Sequence, residues 1–408
     1  MVGLSIEGRS GAGEGGLTAV LGREAGASRA GTRLAFVDNI RVLLTILVVA
    51  HHAGQPYGPT GGEWPIVNPE HTRALGPFFA VNAAFFMGFF FLISGYFLPG
   101  AYDRKGAAAF LKERFLRLGL PLALFGLVFF GPITYLEYRD SAEGGRSFWG
   151  YFFRVYLGEG RVEFAHLWFV AHLLFYAVCY AAWRRFAPHL RRVSGTDRQG
   201  MAAPGHRAIL LFTVALALVT FVVRIEYPID SWAQFLVIIP VEWAHAPQYL
   251  ALFVVGIAAA RRDWLRRLPA ATGMAWLWIG GVAALARYGY ALVGGRQLPA
   301  LIAPGGLDWR SLVWSGWEAV ICVGLCVGLL TLARERFNGG GWPARALSTN
   351  AYAVYVIHLW PVAGLQFALA NVSLHPFAKF VLVTVAAVPL CFLIGRLLRS
   401  LPPVRRVL

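Results

Sequence analysis

The sequence predicts an all-α membrane protein, a bundle of about ten transmembrane helices with both termini in the cytoplasm. Three observations carry that expectation. Of 408 residues, 57% are hydrophobic and only 14% are charged, whereas a water-facing surface needs a larger charged share. The apolar residues fall in long blocks such as Ala208 to Val223 (AILLFTVALALVTFVV), without the alternation of a half-buried strand. Lys and Arg gather in alternate connecting segments, the asymmetry that orients membrane helices.

In chain order, residues 1–32 are rich in Gly and Ala with scattered Arg and Glu. They hold no continuous apolar stretch of the kind a signal peptide needs, and read as a disordered cytoplasmic tail. Residues 33–408 read as one membrane domain, since no period of roughly 20–50 residues repeats. The spans are expected at 36–53, 77–98, 118–136, 164–183, 208–224, 246–260, 270–293, 311–332, 347–369 and 376–397. The stretch at 231–245 (SWAQFLVIIPVEWAH) reads as an interfacial helix or as part of a longer, bent sixth span.

With the N-terminus inside, the inner segments are the tail, 99–117, 184–207, 261–269, 333–346 and the C-terminus. Arg104, Lys105 and Lys112 mark the first of these loops, Arg184, Arg185 and Arg191 the second, and Arg261, Arg262 and Arg266 the third. The segments at 54–76 and 137–163 face outward and carry far less positive charge. This rule accounts for the formal net charge of +16. A basic soluble protein would raise nucleic-acid binding, but no zinc finger, RNA-binding signature or solvent-facing basic helix is present, so no nucleic-acid partner is expected. Cys179, Cys322, Cys326 and Cys391 sit inside apolar blocks and read as packing residues. Cys322 and Cys326 share a helix face without a second pair or a histidine, so no metal site is expected.

Ionisable residues inside spans are costly and mark function. The first span, AFVDNIRVLLTILVVAHHAG, holds Asp38, Arg41, His51 and His52. Eleven residues advance a helix about 1,100°, only ~20° past three turns, with a rise of ~16.5 Å. Arg41 and His52 therefore share one stripe across the membrane, and His51 points about 100° away. His52 is the favoured general base, because imidazole accepts a proton near neutral pH. Ser94, in FLISGYF, lacks a nucleophile elbow, so Ser94 and Gly95 read as small residues that let helices approach closely. Arg114 and Arg117 are spaced i,i+3 in a basic amphipathic helix that runs into the third span at Pro121. Paired guanidiniums suit phosphates, although the same spacing serves simple anchoring at anionic lipid. His166 and His358 are further candidates, His172 reads as structural, and Glu318 and Arg287 form a conceivable pair within the hairpin of the seventh and eighth spans.

These residues, in this order, resemble the acyltransferase-3 family of bacterial integral membrane proteins. The markers are Arg41 followed by His52, FLISGYF, the R-x-x-R pair Arg114/Arg117, HLWFV and YVIHLWPV. Within the family, VDNIRVLLTILVVAHHAGQPYG, DRKGAAAFLKERFLRLGLPL and HLWFV look like the branch that succinylates osmoregulated periplasmic glucans. The resemblance implies ten helices in a bacterial inner membrane, a cytoplasmic acyl-CoA donor and an exported carbohydrate acceptor. It also implies that Arg41 and His52 are essential and that Arg114/Arg117 lie near the CoA phosphates. Acyl-CoA is then a donor substrate rather than a permanently bound cofactor, and membrane lipid surrounds the bundle. A transporter or flippase that uses the same charges as a gate is the rival reading; no paired, Gly/Pro-broken helices in the two halves support it.

Overall fold

In lipid, a backbone must satisfy its own hydrogen bonds, so these apolar blocks become helices. The computed structural model describes them over residues 34–59, 64–139, 141, 144–186, 202–236, 239–297 and 302–408. The tail expected at 1–32 lies outside the described residues, as does most of the inner segment 184–207. Phe36–Leu408 form one compact unit.

Helix α1 is Ala35–Gly54 and α2 is Gly76–Arg114, followed by the short α3 (Leu120–Leu124), α4 (Gly131–Arg139) and α5 (Phe148–Tyr151). Next come α6 (Trp168–Phe186), α7 (His206–Glu226), β1 (Trp232–Phe235) and β2 (Ile239–Glu242). The chain continues as α8 (Ala246–Arg262), α9 (Trp264–Arg267), α10 (Ala270–Gln297) and α11 (Trp309–Arg336). It ends with α12 (Trp342–Ile357), α13 (Leu359–Ala368), α14 (Pro376–Ser400) and α15 (Pro402–Val407). Leu211, Val222, Leu285, Leu292, Val385 and Leu397 on α7, α10 and α14 point outward. Such an apolar surface suits acyl chains rather than water.

By length and apolarity, six helical runs could cross a membrane, or seven if α12 and α13, bent by 65°, form one span. The sequence led to about ten. Part of the difference is the run Arg73–Arg139, whose 67 residues exceed twice what one crossing needs. It leaves the helical path at Gly106 (φ 74°, ψ 169°), a left-handed conformation open to glycine, and Lys105 pairs with Glu113 across the bend. Phe79 near its start packs on His51, Ser94 and Arg117 line a cavity with Arg41, and Phe130 beyond them packs on His166. The run thus travels the length of α1 and returns. The other part is α8, with 17 residues, and α10, which carries Arg287 among Gly, Trp and Tyr residues; neither is among the six.

Local chemistry sets the breaks. Pro121 has no N–H to give the Arg117 carbonyl four residues earlier, and that carbonyl accepts from the Tyr352 hydroxyl of α12. Pro361 likewise has no N–H for the Ile357 carbonyl, and the chain bends beside it, at His358. Gly95 and Gly256 bring α2 and α8 backbone to backbone: a Cβ on either would lie 2.1 Å from a carbonyl oxygen of the other helix.

The stretch at 231–245 is neither an interfacial helix nor part of a bent span. Its described residues form an antiparallel hairpin with Trp232 opposite Glu242 and Phe235 opposite Ile239. Pro240 disfavours a helix here, aromatic and β-branched neighbours favour extended backbone, and both strands are edges that tolerate proline.

Ion pairs gather the basic ends of the helices. Asp103 pairs with Arg184 at 2.9 Å and Arg261 at 3.0 Å, joining the α2 bend to the C-termini of α6 and α8. Asn39 of α1 donates to the Phe337 carbonyl just after α11 at 2.6 Å. We call this the arginine end of the bundle. The opposite, histidine end collects the C-terminus of α1, the N-terminus of α6 and the β-hairpin.

Candidate active site

At the histidine end, three imidazoles from different helices converge. The His52 ring centroid lies 5.0 Å from that of His358 and 6.3 Å from that of His166, and the latter two are 4.5 Å apart. The bend at Pro361 presents His358, and the tight turn Ala165–Leu167 before α6 presents His166. His166 Nε2 donates to the Val356 carbonyl at 3.1 Å, and His358 Nδ1 donates to the Tyr355 carbonyl at 2.7 Å. A carbonyl only accepts, so the remaining nitrogen of each neutral ring carries its lone pair. Those two nitrogens and His52 Nδ1 are buried without a hydrogen-bond partner among the described residues.

Trp64 stacks on His52 with ring centroids 5.3 Å apart. Its indole N–H donates to Gln366 Oε1 at 2.8 Å, while Gln366 Nε2 donates to the His52 carbonyl at 2.8 Å. One buried amide therefore holds the end of α1 and the ring that covers it. The buried Lys379 ammonium secures the same loop by donating to Asn68 at 2.8 Å. His51 takes a different direction, as a 100° step requires: it stacks on Phe86, packs edge-on against Phe79 and meets Asn82 at 3.3 Å.

A cavity of about 290 Å³ opens from His52 and His166 toward the β-hairpin. Its far wall holds Asp230, Glu242, His245 and Glu318. Arg224, fully buried, pairs with Glu318, which also accepts from the Trp314 indole at 2.6 Å. His245 donates to Glu242 at 2.7 Å and lies 3.6 Å from Glu318. Burial alone would lower the His245 pKa, but the two carboxylates outweigh it and push the value up to about 10. Burial would likewise raise Glu242, yet His245 and the Asp230 N–H hold it below the usual carboxylate range.

Two further cavities lie at the arginine end. One, of about 330 Å³, is lined by Arg41, Ser94, Arg114, Arg117, Tyr352 and Tyr355 among aromatic and aliphatic side chains. The other, of about 400 Å³, is lined by Arg104, Lys105, Arg114, Arg117 and Arg261, with Asp103 and Glu113. Arg114 and Arg117 border both, and Tyr355 borders both the first of these and the His52 cavity. The His52 cavity and the first of these thus follow one another along α1 with the Tyr355 ring as a shared partition, and the other, lined from α2 and α8, meets the first at the guanidinium pair. The Tyr355 hydroxyl donates to the His166 carbonyl, so this partition is tied to the histidine cluster.

Of the candidates read from the sequence, Arg41, His52, Ser94, Arg114, Arg117, His166 and Glu318 border this series. His358 does not line it and stands behind the His52 and His166 rings, and His172 packs among Trp168, Tyr176 and Phe91. Gly95 makes the close helix contact, while Ser94 faces the cavity of Arg41. One pairing needs correction. Glu318 does not meet Arg287, which lies over the Tyr290 ring; its partners are Arg224, Trp314 and His245. The α11 face that meets α10 is that of Trp317, whose indole donates to the Ala283 carbonyl at 2.9 Å, and Glu318 points about 100° away. The sequence reading passed over Trp64, Arg224, Glu242, His245 and Tyr355. Only Arg224 gave a signal, as a charge at the edge of an apolar block.

Residues 34–396 match the sequence model of a family described as an acyltransferase domain, Acyl_transf_3. No curated protein and no solved structure matches the chain.

Proposed function

Because this chain belongs to the acyltransferase-3 family and is a membrane acyltransferase, we propose that it moves an acyl group from cytoplasmic acyl-CoA to a hydroxyl of an exported carbohydrate. The observation that carries this reading is the series of three cavities joined at Arg114/Arg117 and at Tyr355. The cation-rich space suits the phosphates of a nucleotide-bearing thioester, since guanidiniums give charge-assisted, bidentate hydrogen bonds. The aromatic space next to it suits a pantetheine arm, and the thioester then lies toward Tyr355 and His52.

His52 accepts the proton of the acceptor hydroxyl as that oxygen attacks the thioester carbon. The C–S bond breaks, the new ester C–O bond stays, and the proton passes from the imidazolium to the departing thiolate. A positioned base of this kind contributes roughly 10²–10⁴-fold. His358 and His166 surround His52, and Arg41 lies at the opposite end of the path. In this reading the arginine end faces the cytoplasm and the helices make about ten crossings of the inner membrane, because the basic residues gather there. Family membership decides against the transporter rival.

The test is transfer of labelled acyl groups in proteoliposomes loaded with envelope glycan on the histidine side. Ester label on the glycan supports the proposal. Label that never leaves CoA when protein, donor and glycan are all present refutes it. Cysteine labelling in intact cells checks the orientation: reagent reaching 184–207 from outside would reverse the donor side.

A further inference from the structure

We propose that the β-hairpin and the start of α11 form the acceptor subsite, and that it selects uncharged sugar rings over anionic ones. The inference rests on the acyl-transfer reading above and goes beyond it by assigning residues and a charge preference. The cavity beside His52 has two kinds of wall. Trp168, Trp232 and Trp314 supply flat apolar faces, and Asp230, Glu242 and Glu318 supply carboxylates. A sugar ring has the matching pair of surfaces: C–H groups on its faces and hydroxyl donors on its edge. Aromatic rings cover the first and carboxylate oxygens accept from the second.

The hairpin register builds this pairing, because Trp232 and Glu242 are direct cross-strand partners and so lie on one face. Trp232 also packs edge-on against Trp168, with centroids 5.8 Å apart. A second feature marks the cavity as a place for a polar ligand: His166, 5% exposed, leaves Nδ1 without a hydrogen-bond partner among the described residues. A lone pair there accepts from a hydroxyl.

The charge preference follows from how the ionised groups are partnered. Glu318 is neutralised by Arg224, and Glu242 by His245. Asp230 has no ion pair with a described residue, and its neighbour is the Glu242 carboxylate, which accepts from the Asp230 N–H at 2.8 Å. An acceptor carrying a carboxylate or phosphate would bring another negative charge to this wall, and specificity of this kind comes from the repulsive element as much as from the attractive one.

The experiment uses the full chain in lipid nanodiscs with labelled acetyl- and succinyl-CoA. Acceptors are methyl β-glucoside, methyl β-glucuronide, which differs by one carboxylate, and the envelope glycan of the expression host. The expected result is transfer to the glucoside at least tenfold more efficient than to the glucuronide. Asp230→Asn should bring the two within about threefold. Trp232→Ala should raise the glucoside KM about tenfold, Trp232→Phe much less, and acyl-CoA affinity should stay unchanged in both. Equal use of the two glycosides overturns the inference, as does an unaltered ratio in Asp230→Asn or an unaltered KM in Trp232→Ala. If neither glycoside is acylated but the envelope glycan is, this subsite assignment falls and the acyl-transfer reading stands. If nothing is acylated, both fall.

Discussion

The two ends of the bundle handle charge in opposite ways. At the histidine end, acids and bases are matched inside the fold: Arg224 with Glu318 and His245 with Glu242, all at least nine-tenths buried. At the arginine end, Arg104, Lys105, Arg114, Arg117 and Arg261 share a cavity with only Asp103 and Glu113. A buried charge must be paired when it is formed, because desolvation costs several kcal/mol per ion. A half-exposed guanidinium can wait for its partner in water at little cost. The matched end is thus a permanent scaffold around His52, and the other end, where cations outnumber acids, is where the proposed donor's phosphates would land.

The sharpest way to break this comparison is at His52. His52→Ala should lower acyl transfer roughly 10²–10⁴-fold while acyl-CoA still binds, because donor affinity belongs to the other end. Loss of donor binding in this variant would merge the two regions into one site. Next in size is the scaffold. Glu318→Ala leaves Arg224 charged and buried without its carboxylate and should cost about 3–5 kcal/mol of stability, read by denaturant or thermal unfolding of the purified protein. Glu318→Gln, which keeps the indole contact to Trp314, should cost less.

The difference between the ends also explains what could be read in advance. The meeting of Arg41 with Arg114 and Arg117 at one cavity comes from packing between helices, whereas helical arithmetic within single segments brought out the Arg114/Arg117 pair and the Arg41–His52 stripe. His52 and His51 were separable for the same reason, one turn of 100°. The ion network could not be found that way. Arg224, Glu242, His245 and Glu318 come from α7, β2, the turn before α8, and α11, and only tertiary packing joins them. The hairpin at 231–245 was mistaken for helix because its apolar run is short, and runs of that length fit a buried strand as well as a helix. The number of crossings was legible where apolar blocks stand alone, and less so along Arg73–Arg139, where one helical run turns back on itself.

At the arginine end, Ala at either Arg114 or Arg117 should weaken acyl-CoA binding by about ten- to a hundredfold, the loss of one charge-assisted contact of ~1.5–3 kcal/mol. Lys should rescue only in part, since an ammonium has no planar fork. Unchanged donor affinity in the double Ala variant would reduce the pair to lipid anchoring. The pH response should separate the ends further. The folded pKa of His245 is raised from 6.5 to about 10, so its stabilisation is complete below about pH 6.5 and fades as pH rises toward 10. The thermal midpoint should therefore fall over that window, and fall less in His245→Gln. His245→Gln should leave donor affinity unchanged at any one pH, because the cations proposed to hold the donor line a separate cavity. An equal fall in His245→Gln would show that other groups govern the slope.

The smallest expected effect is at His51, and it tests the finest division in the molecule, between two adjacent residues of one helix. His51 borders the same cavity as His52, so proximity alone would make it an equal candidate. Its surroundings argue otherwise. Its ring stacks on Phe86 at 5.3 Å and meets Phe79 at 5.1 Å, and its Nδ1 faces the Asn82 amide, which also donates to the Leu47 carbonyl at 3.3 Å. A ring held this way packs α1 against α2. His51→Ala should then lower stability modestly and transfer by no more than a few-fold at matched protein levels, and His51→Phe should recover the packing without restoring a base. If transfer is lost in His51→Ala and in His51→Phe while His52→Ala stays active, the base lies on the α2 side of the helix, and the cluster of His52, His166 and His358 is scaffold rather than chemistry.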